Sequence, residues 1–171
     1  MVRAYIACLS AAVAAAIFTA PQLAVSQQPS LKQQLVGTWT LVSIIATDKA
    51  GNKSDRRGPN PKGLLIFEPT GYYSILTARA SIPNFTVDNV TQGTPEEYKA
   101  AMLGMIANVG KWSVDETTKV ITTYVEAGSF PNLNGHTQTR VISSLTADEL
   151  KYVNGTSVSA TSDEATWRRA K

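Results

Sequence analysis

The chain has 171 residues, with 16 Lys and Arg against 13 Asp and Glu, one His and one Cys, for a formal charge of +3. That length holds one domain, or a domain with a tail, and so small a charge excess argues against a nucleic-acid binder built on a dense basic face. Cys8 and His136 stand alone, which excludes a disulfide framework, a thiolate zinc site and a multi-His metal site within one chain, so neither a metal nor a cofactor is expected.

Residues 1–26 read as a secretory signal peptide. Arg3 supplies a short positive region, Ala4 to Ala20 form an uncharged Ala-rich stretch, Pro21 breaks it, and Ala24-Val25-Ser26 offers a small-residue cleavage site. The stretch approaches the roughly 20 residues that span a bilayer, but its Ala content, Pro21 and the cleavage site favour removal. The expectation is an exported protein, periplasmic or secreted, without stable membrane insertion once the signal is gone. Cys8 comes too early for lipidation.

Gln27 to Gln34 reads as a polar tether, with the folded domain assigned to residues 35–171. From Leu35 the texture is β: Thr, Val, Ile and Tyr abound between recurring Gly, Pro, Asn and Asp clusters. The expected strands begin with Val36–Thr47, Gly63–Phe67 and Tyr72–Arg79. Glu68-Pro-Thr-Gly71 forms a tight turn between the second and third. A single helix opens at Thr94, with Pro95 at its first position and Glu97 completing a capping box. Tyr98, Ala101, Met102, Met105 and Ile106 share one face at helical spacing, so this helix is expected to lie on the domain and to end at Asn108–Gly110. Five strands follow: Lys111–Val114, Lys119–Glu126, Thr137–Ser144, Leu150–Val153 and Ser159–Ala170. Eight strands joined mostly by short turns, with one α-helix between strands 3 and 4, predict a mainly β, antiparallel up-and-down barrel. An eight-stranded barrel is just wide enough for one small ligand, and a β-sandwich is the competing architecture.

Two ends of the chain carry a resemblance. Leu35-Val-Gly-Thr-Trp-Thr-Leu-Val opens the first strand and Trp167-Arg-Arg closes the last, which resembles the lipocalin and wider calycin pattern. Between them, Gly58-Pro-Asn-Pro-Lys-Gly-Leu-Leu-Ile-Phe, Thr70-Gly-Tyr-Tyr-Ser, Pro95-Glu-Glu-Tyr with Gly110-Lys-Trp, and Val125-Glu to Gln138-Thr-Arg140 are similar to the small bacterial and fungal lipocalin-like domain proteins. The resemblance spans about residues 35–170. It implies a barrel whose closed end is plugged by Trp39, with Gly37 allowing close backbone approach and an arginine stacked on the indole. On a strand Trp167 and Arg169 share a face, so Arg169 is the candidate and Arg168 the alternative. Members often carry His on the strand that holds Thr123 and Tyr124, and lipocalins proper often carry a disulfide; this chain has neither.

The resemblance also implies a small, largely apolar ligand inside the barrel. Alternation groups Val120, Thr122, Tyr124 and Glu126, then His136, Gln138, Arg140 and Ile142, and on the third strand Tyr73, Ile75, Thr77 and Arg79. If these faces turn inward, Tyr73, Arg79, Trp112, Tyr124, Glu126, Gln138 and Arg140 are the ligand-binding candidates. An inward Arg140 cannot shed its charge and needs a carboxylate, either Glu126 or one on an acidic apolar ligand. If they turn outward, they are solvated residues, or a structural ion pair in a filled barrel. No catalytic triad or paired carboxylates are readable. Two functions compete with a carrier: a barrel enzyme of isomerase, cyclase or hydrolase type using Tyr124, Glu126 and Arg140 with Tyr73, and an envelope protein acting through its surface.

Overall fold

A computed structural model describes residues 28–155 and 162–171. The expected signal peptide and the predicted start of the last strand at Ser159 lie outside the described residues. The chain forms a one-turn helix α1 (Leu31–Leu35), β1 (Gly37–Thr47), β2 (Lys53–Asp55), β3 (Lys62–Phe67) and β4 (Tyr72–Ala78). Helix α2 (Pro95–Gly104), β5 (Met105–Asp115), β6 (Val120–Gly128), β7 (Thr137–Leu145), β8 (Glu149–Asn154) and β9 (Ser162–Arg169) follow. Consecutive neighbours pair antiparallel in the order β1-β3-β4-β5-β6-β7-β8-β9, and β9 pairs back onto β1. The sheet is therefore a closed eight-stranded up-and-down barrel, with β2 a short extra strand on the far end of β1. Helix α2 sits between the third and fourth barrel strands.

Closure runs from Trp39 opposite Arg169 to Thr47 opposite Ser162. Bulges in β1 (between Leu41 and Ser43), β6 (at Glu126, between Val125 and Ala127) and β7 (between Ile142 and Ser144) add the local twist that lets a sheet curl shut. Strict alternation then fills the interior. Leu65 and Phe67, Tyr73 and Ile75, Ile121 and Val125, Leu150 and Tyr152, and Ala165 and Trp167 are all buried.

One end is sealed by aromatic and cationic groups. Trp39 has no exposed surface and donates its indole N–H to the Leu35 carbonyl at 2.9 Å. The Arg169 guanidinium lies 4.0 Å from the centroid of the Trp39 ring. It also donates to the carbonyls of Ala147, Val36 and Gln34 at 2.6, 3.1 and 2.6 Å. Gly37 has φ +126°, and a Cβ there would stand 3.1 Å from Arg169 Nη1. Arg168 points away and is exposed.

Two expectations change. The segment read as a polar tether, residues 27–34, holds all but the last residue of α1, which Ser30 and Gln33 cap with a capping box. Glu116 accepts the backbone N–H groups of Leu31 and Lys32 at 2.7 and 3.1 Å, so the turn is tied to the barrel and Leu35 becomes part of the plug. Helix α2 opens at Thr94 but stops at Gly104, and Met105 and Ile106 belong to β5 instead. Strand β4 explains this: β5 pairs with it over its full length, from Met105 opposite Ala78 to Lys111 opposite Tyr72, and a longer helix would leave those backbone groups unpaired. Nor does α2 lay an apolar face on the barrel. Tyr98, Met102 and Leu103 are exposed, and Tyr98 packs edge-on against Phe85 of the preceding loop. Glu97 joins the two by accepting from Thr86 and from the Thr94 amide, and these hydrogen bonds hold its carboxyl down at about 2.

Arg169→Ala should lower stability by about 2–4 kcal/mol, through three lost charge-assisted hydrogen bonds and the stacked cation. Arg168→Ala should stay within about 0.5 kcal/mol. Urea unfolding of the two variants checks this, and equal losses would contradict the closure pair.

Candidate functional site

Among the described residues, the end opposite Trp39 is open. There the inward faces leave a cavity of ≈ 90 Å³. Its lining is partly apolar, with Ile44 of β1, Ile75 of β4, Ile106 of β5, Ala165 of β9 and Leu133 from the β6–β7 loop. Interspersed with these are polar groups: Gln138 and Arg140 of β7, Asn108 of β5, Asn154 of β8, and an Arg56–Asp163 ion pair at 2.7 Å. An apolar body with a few convergent polar groups is the usual composition of a small-molecule site.

Arg140 is the central polar group of the lining. It is 6% exposed, with Nη1 donating to Thr123 Oγ1 at 2.6 Å and Nη2 to Gln138 Oε1 at 3.0 Å. The Tyr152 ring lies 5.6 Å from its guanidinium carbon. All these partners are neutral, and among the described residues no carboxylate pairs with Arg140. Beside it, Tyr73 donates to Asn108 Oδ1 at 2.6 Å. Burial pushes the Tyr73 and Tyr152 phenols above their ordinary range, so both stay protonated donors at neutral pH.

Of the ligand-binding candidates, Gln138 and Arg140 line the cavity, and Tyr73 is buried inside the barrel without lining it. The others are placed elsewhere. Tyr124 is 45% exposed and Glu126 is also on the outer face. The β6–β7 register explains why. Ile121 stands opposite Arg140 and Thr123 opposite Gln138, and residues directly opposite in an antiparallel pair share a face. An inward Arg140 therefore sends Ile121, Thr123 and Val125 inward and turns Tyr124 and Glu126 out, one residue out of phase with the expected grouping. Trp112 is buried at the closed end, 4.5 Å from Phe67 between ring centroids, with its N–H donated to the Glu68 carbonyl, and it does not line the cavity. Arg79 is exposed beyond the end of β4. The Tyr124, Glu126 and Arg140 constellation considered for acid–base chemistry is consequently split across the barrel wall.

Sequence reasoning missed Asn108, Tyr152, Asp163 and Arg56. Asp163 was within reach, because it shares the period-2 face of Ala165 and Trp167. Tyr152 likewise shares the face of Leu150. Asn108 read as a helix stop, and Arg56 lies in a loop with no periodicity to place it.

The lipocalin-like domain family model matches residues 36–171. The chain belongs to that family. The lipocalin-like barrel is similar in fold to a lipocalin-like protein from Bacteroides uniformis at 11% identity, covering 80% of this chain and 99% of that one, with a TM-score of 0.44. It is similar also to bovine odorant-binding protein in complex with a selenium-containing odorant, at 14% identity, 85% and 76% coverage and a TM-score of 0.42. A redesigned β-barrel bound to DFHBI matches at 17% identity, 82% and 100% coverage and a TM-score of 0.41. No curated protein matches the chain significantly. The lipocalin-like barrel is a fold consistent with holding a small hydrophobic molecule. Among the described residues no helix is long and apolar enough to cross a membrane.

Tyr73→Phe should cost about 1–3 kcal/mol, since Asn108 Oδ1 loses its donor in a buried site. Tyr124→Phe on the outer face should stay within about 0.5 kcal/mol. Urea midpoints measure both, and a larger loss at Tyr124 would contradict the strand facing.

Proposed function

We propose that this protein is an exported binder of a small apolar acid, held in the barrel cavity with its carboxylate on Arg140. One observation carries the reading: the Arg140 guanidinium is almost wholly buried and has only neutral partners among the described residues. A ligand carboxylate would complete the fork with charge-assisted hydrogen bonds. The body of the acid would rest on Ile44, Ile75, Ile106 and Leu133.

Size narrows the class. The cavity of ≈ 90 Å³ is well below the roughly 300–1,000 Å³ of drug-sized pockets, which points to a short aliphatic or single-ring monocarboxylic acid rather than a long-chain lipid. Export rests on the sequence of residues 1–26, and it implies a mature chain that begins at Gln27, in the periplasm or outside the cell. A filled barrel acting through its outer surface is the competing reading, and the same small volume favours it.

Native mass spectrometry of the protein purified from its own host's envelope separates the two. The expected result is a chain starting at Gln27 that carries one small acid, released on denaturation. Arg140→Gln should weaken rebinding about 10- to 100-fold, the loss of one charge-assisted hydrogen-bonded pair. A clean unliganded mass, with no uptake from a panel of short aliphatic and aromatic carboxylic acids, would sink the carrier reading and favour the filled barrel.

A further inference from the structure

Outside the barrel cavity, three arginines converge on one surface pocket at the open end. Arg56 and Arg57 from the turn after β2, and Arg79 just past β4, line a volume of ≈ 350 Å³ together with Asp55, Gly58, Pro59, Ala80 and Ser81. Of the two carboxylates nearby, Asp163 is paired to Arg56 at 2.7 Å. Asp55 is engaged by the turn itself, its Oδ1 accepting the backbone N–H groups of Arg57 and Gly58 at 3.0 Å each. Neither forms an ion pair with Arg57 or Arg79 among the described residues.

Arg57 is the unusual member. It is only 7% exposed, and its Nε–H is buried with no acceptor among the described residues. Nη2 donates to Thr77 Oγ1 at 3.0 Å and Nη1 reaches the Leu103 carbonyl at 3.4 Å, so two of five donors meet neutral oxygens. Burial, followed by the fields of Arg56 and Arg79, lowers its proton affinity. A buried cation crowded by two others is electrostatically frustrated unless an anion joins it.

We infer that this rim pocket binds a phosphate group, with Arg57 and Arg79 as its principal contacts and Arg56 at its edge. Two arginines lining one concavity suit a tetrahedral group that carries about −1.5 to −2 charge and several acceptor oxygens, more than a single carboxylate can offer. The pocket is also large enough for a substituent, so the group is a phosphoester on a soluble molecule or on a lipid headgroup. The site does not depend on what the barrel holds, although Arg56 lines both spaces and Thr77, bonded by Arg57, lines the cavity.

The test is a titration of the full chain with inorganic phosphate at constant ionic strength, following the arginine side-chain N–H signals by NMR. The expected result is saturable shifts at Arg57 and Arg79. Arg79→Gln should weaken binding about tenfold or more, and this exposed side chain makes no hydrogen bond among the described residues whose loss could unfold the barrel. Arg168→Gln, at the closed end, should leave binding unchanged. Arg57→Lys keeps the charge but not the fork and should also weaken it. Given phosphate binding, competition by phosphatidylglycerol vesicles but not phosphatidylcholine vesicles would assign the group to an anionic lipid headgroup. No competition would assign it to a soluble phosphoester. Absence of saturable shifts, or equal behaviour of Arg79→Gln and Arg168→Gln, would overturn the site.

Discussion

Closing the sheet between β1 and β9 allows each barrel strand only one inward face, and every functional assignment follows from which face that is. Trp39 and Trp167 lie inside because β1 and β9 meet in that phase. The antiparallel registers then carry the phase from strand to strand, so that Thr123, Arg140, Tyr152 and Asp163 share one interior. A one-residue slip in β6 relative to β7 would exchange Thr123 for Tyr124 and change the chemistry of the cavity. The bulges in β1, β6 and β7 matter for the same reason, since each resets the alternation along its strand.

The barrel's arginines show how the two ends differ. At the closed end Arg169 is satisfied by three carbonyls and the face of Trp39, all supplied by the protein. That guanidinium is part of the fold. At the open end Arg56 has Asp163, while Arg140 has a hydroxyl, an amide oxygen and a ring. Its hydrogen bonds orient the guanidinium but leave its charge uncompensated. Tyr73 and Asn108 stiffen the neighbouring wall without adding charge. The result is a rigid plug at one end and a small, positively biased cavity at the other.

The parts of this arrangement legible in the sequence are those set by local chemistry. Glu68-Pro-Thr-Gly71 announces its hairpin, and the structure closes it with Gly71 at φ +92° and its N–H on the Glu68 carbonyl. Thr94, Pro95 and Glu97 mark the start of α2 by the same local logic. The features out of reach are set at a distance. Where α2 ends depends on the length of β4, which needs a partner along all its residues. The facing of Tyr124 and Glu126 depends on the β6–β7 register, because a period-2 pattern with Thr and Val on both faces of β6 does not declare its inside. Arg56 enters the site only because β2 folds against the end of β1.

The central claim is that the charge of Arg140 serves a ligand rather than the fold. Arg140→Met, compared with the parent in urea unfolding without ligand, tests it most directly. Replacing an uncompensated buried charge with an apolar side chain of similar length is predicted to leave the unliganded barrel as stable or up to about 4 kcal/mol more stable. A loss of about 3–5 kcal/mol would contradict the account, because it would mean that the barrel itself depends on the guanidinium.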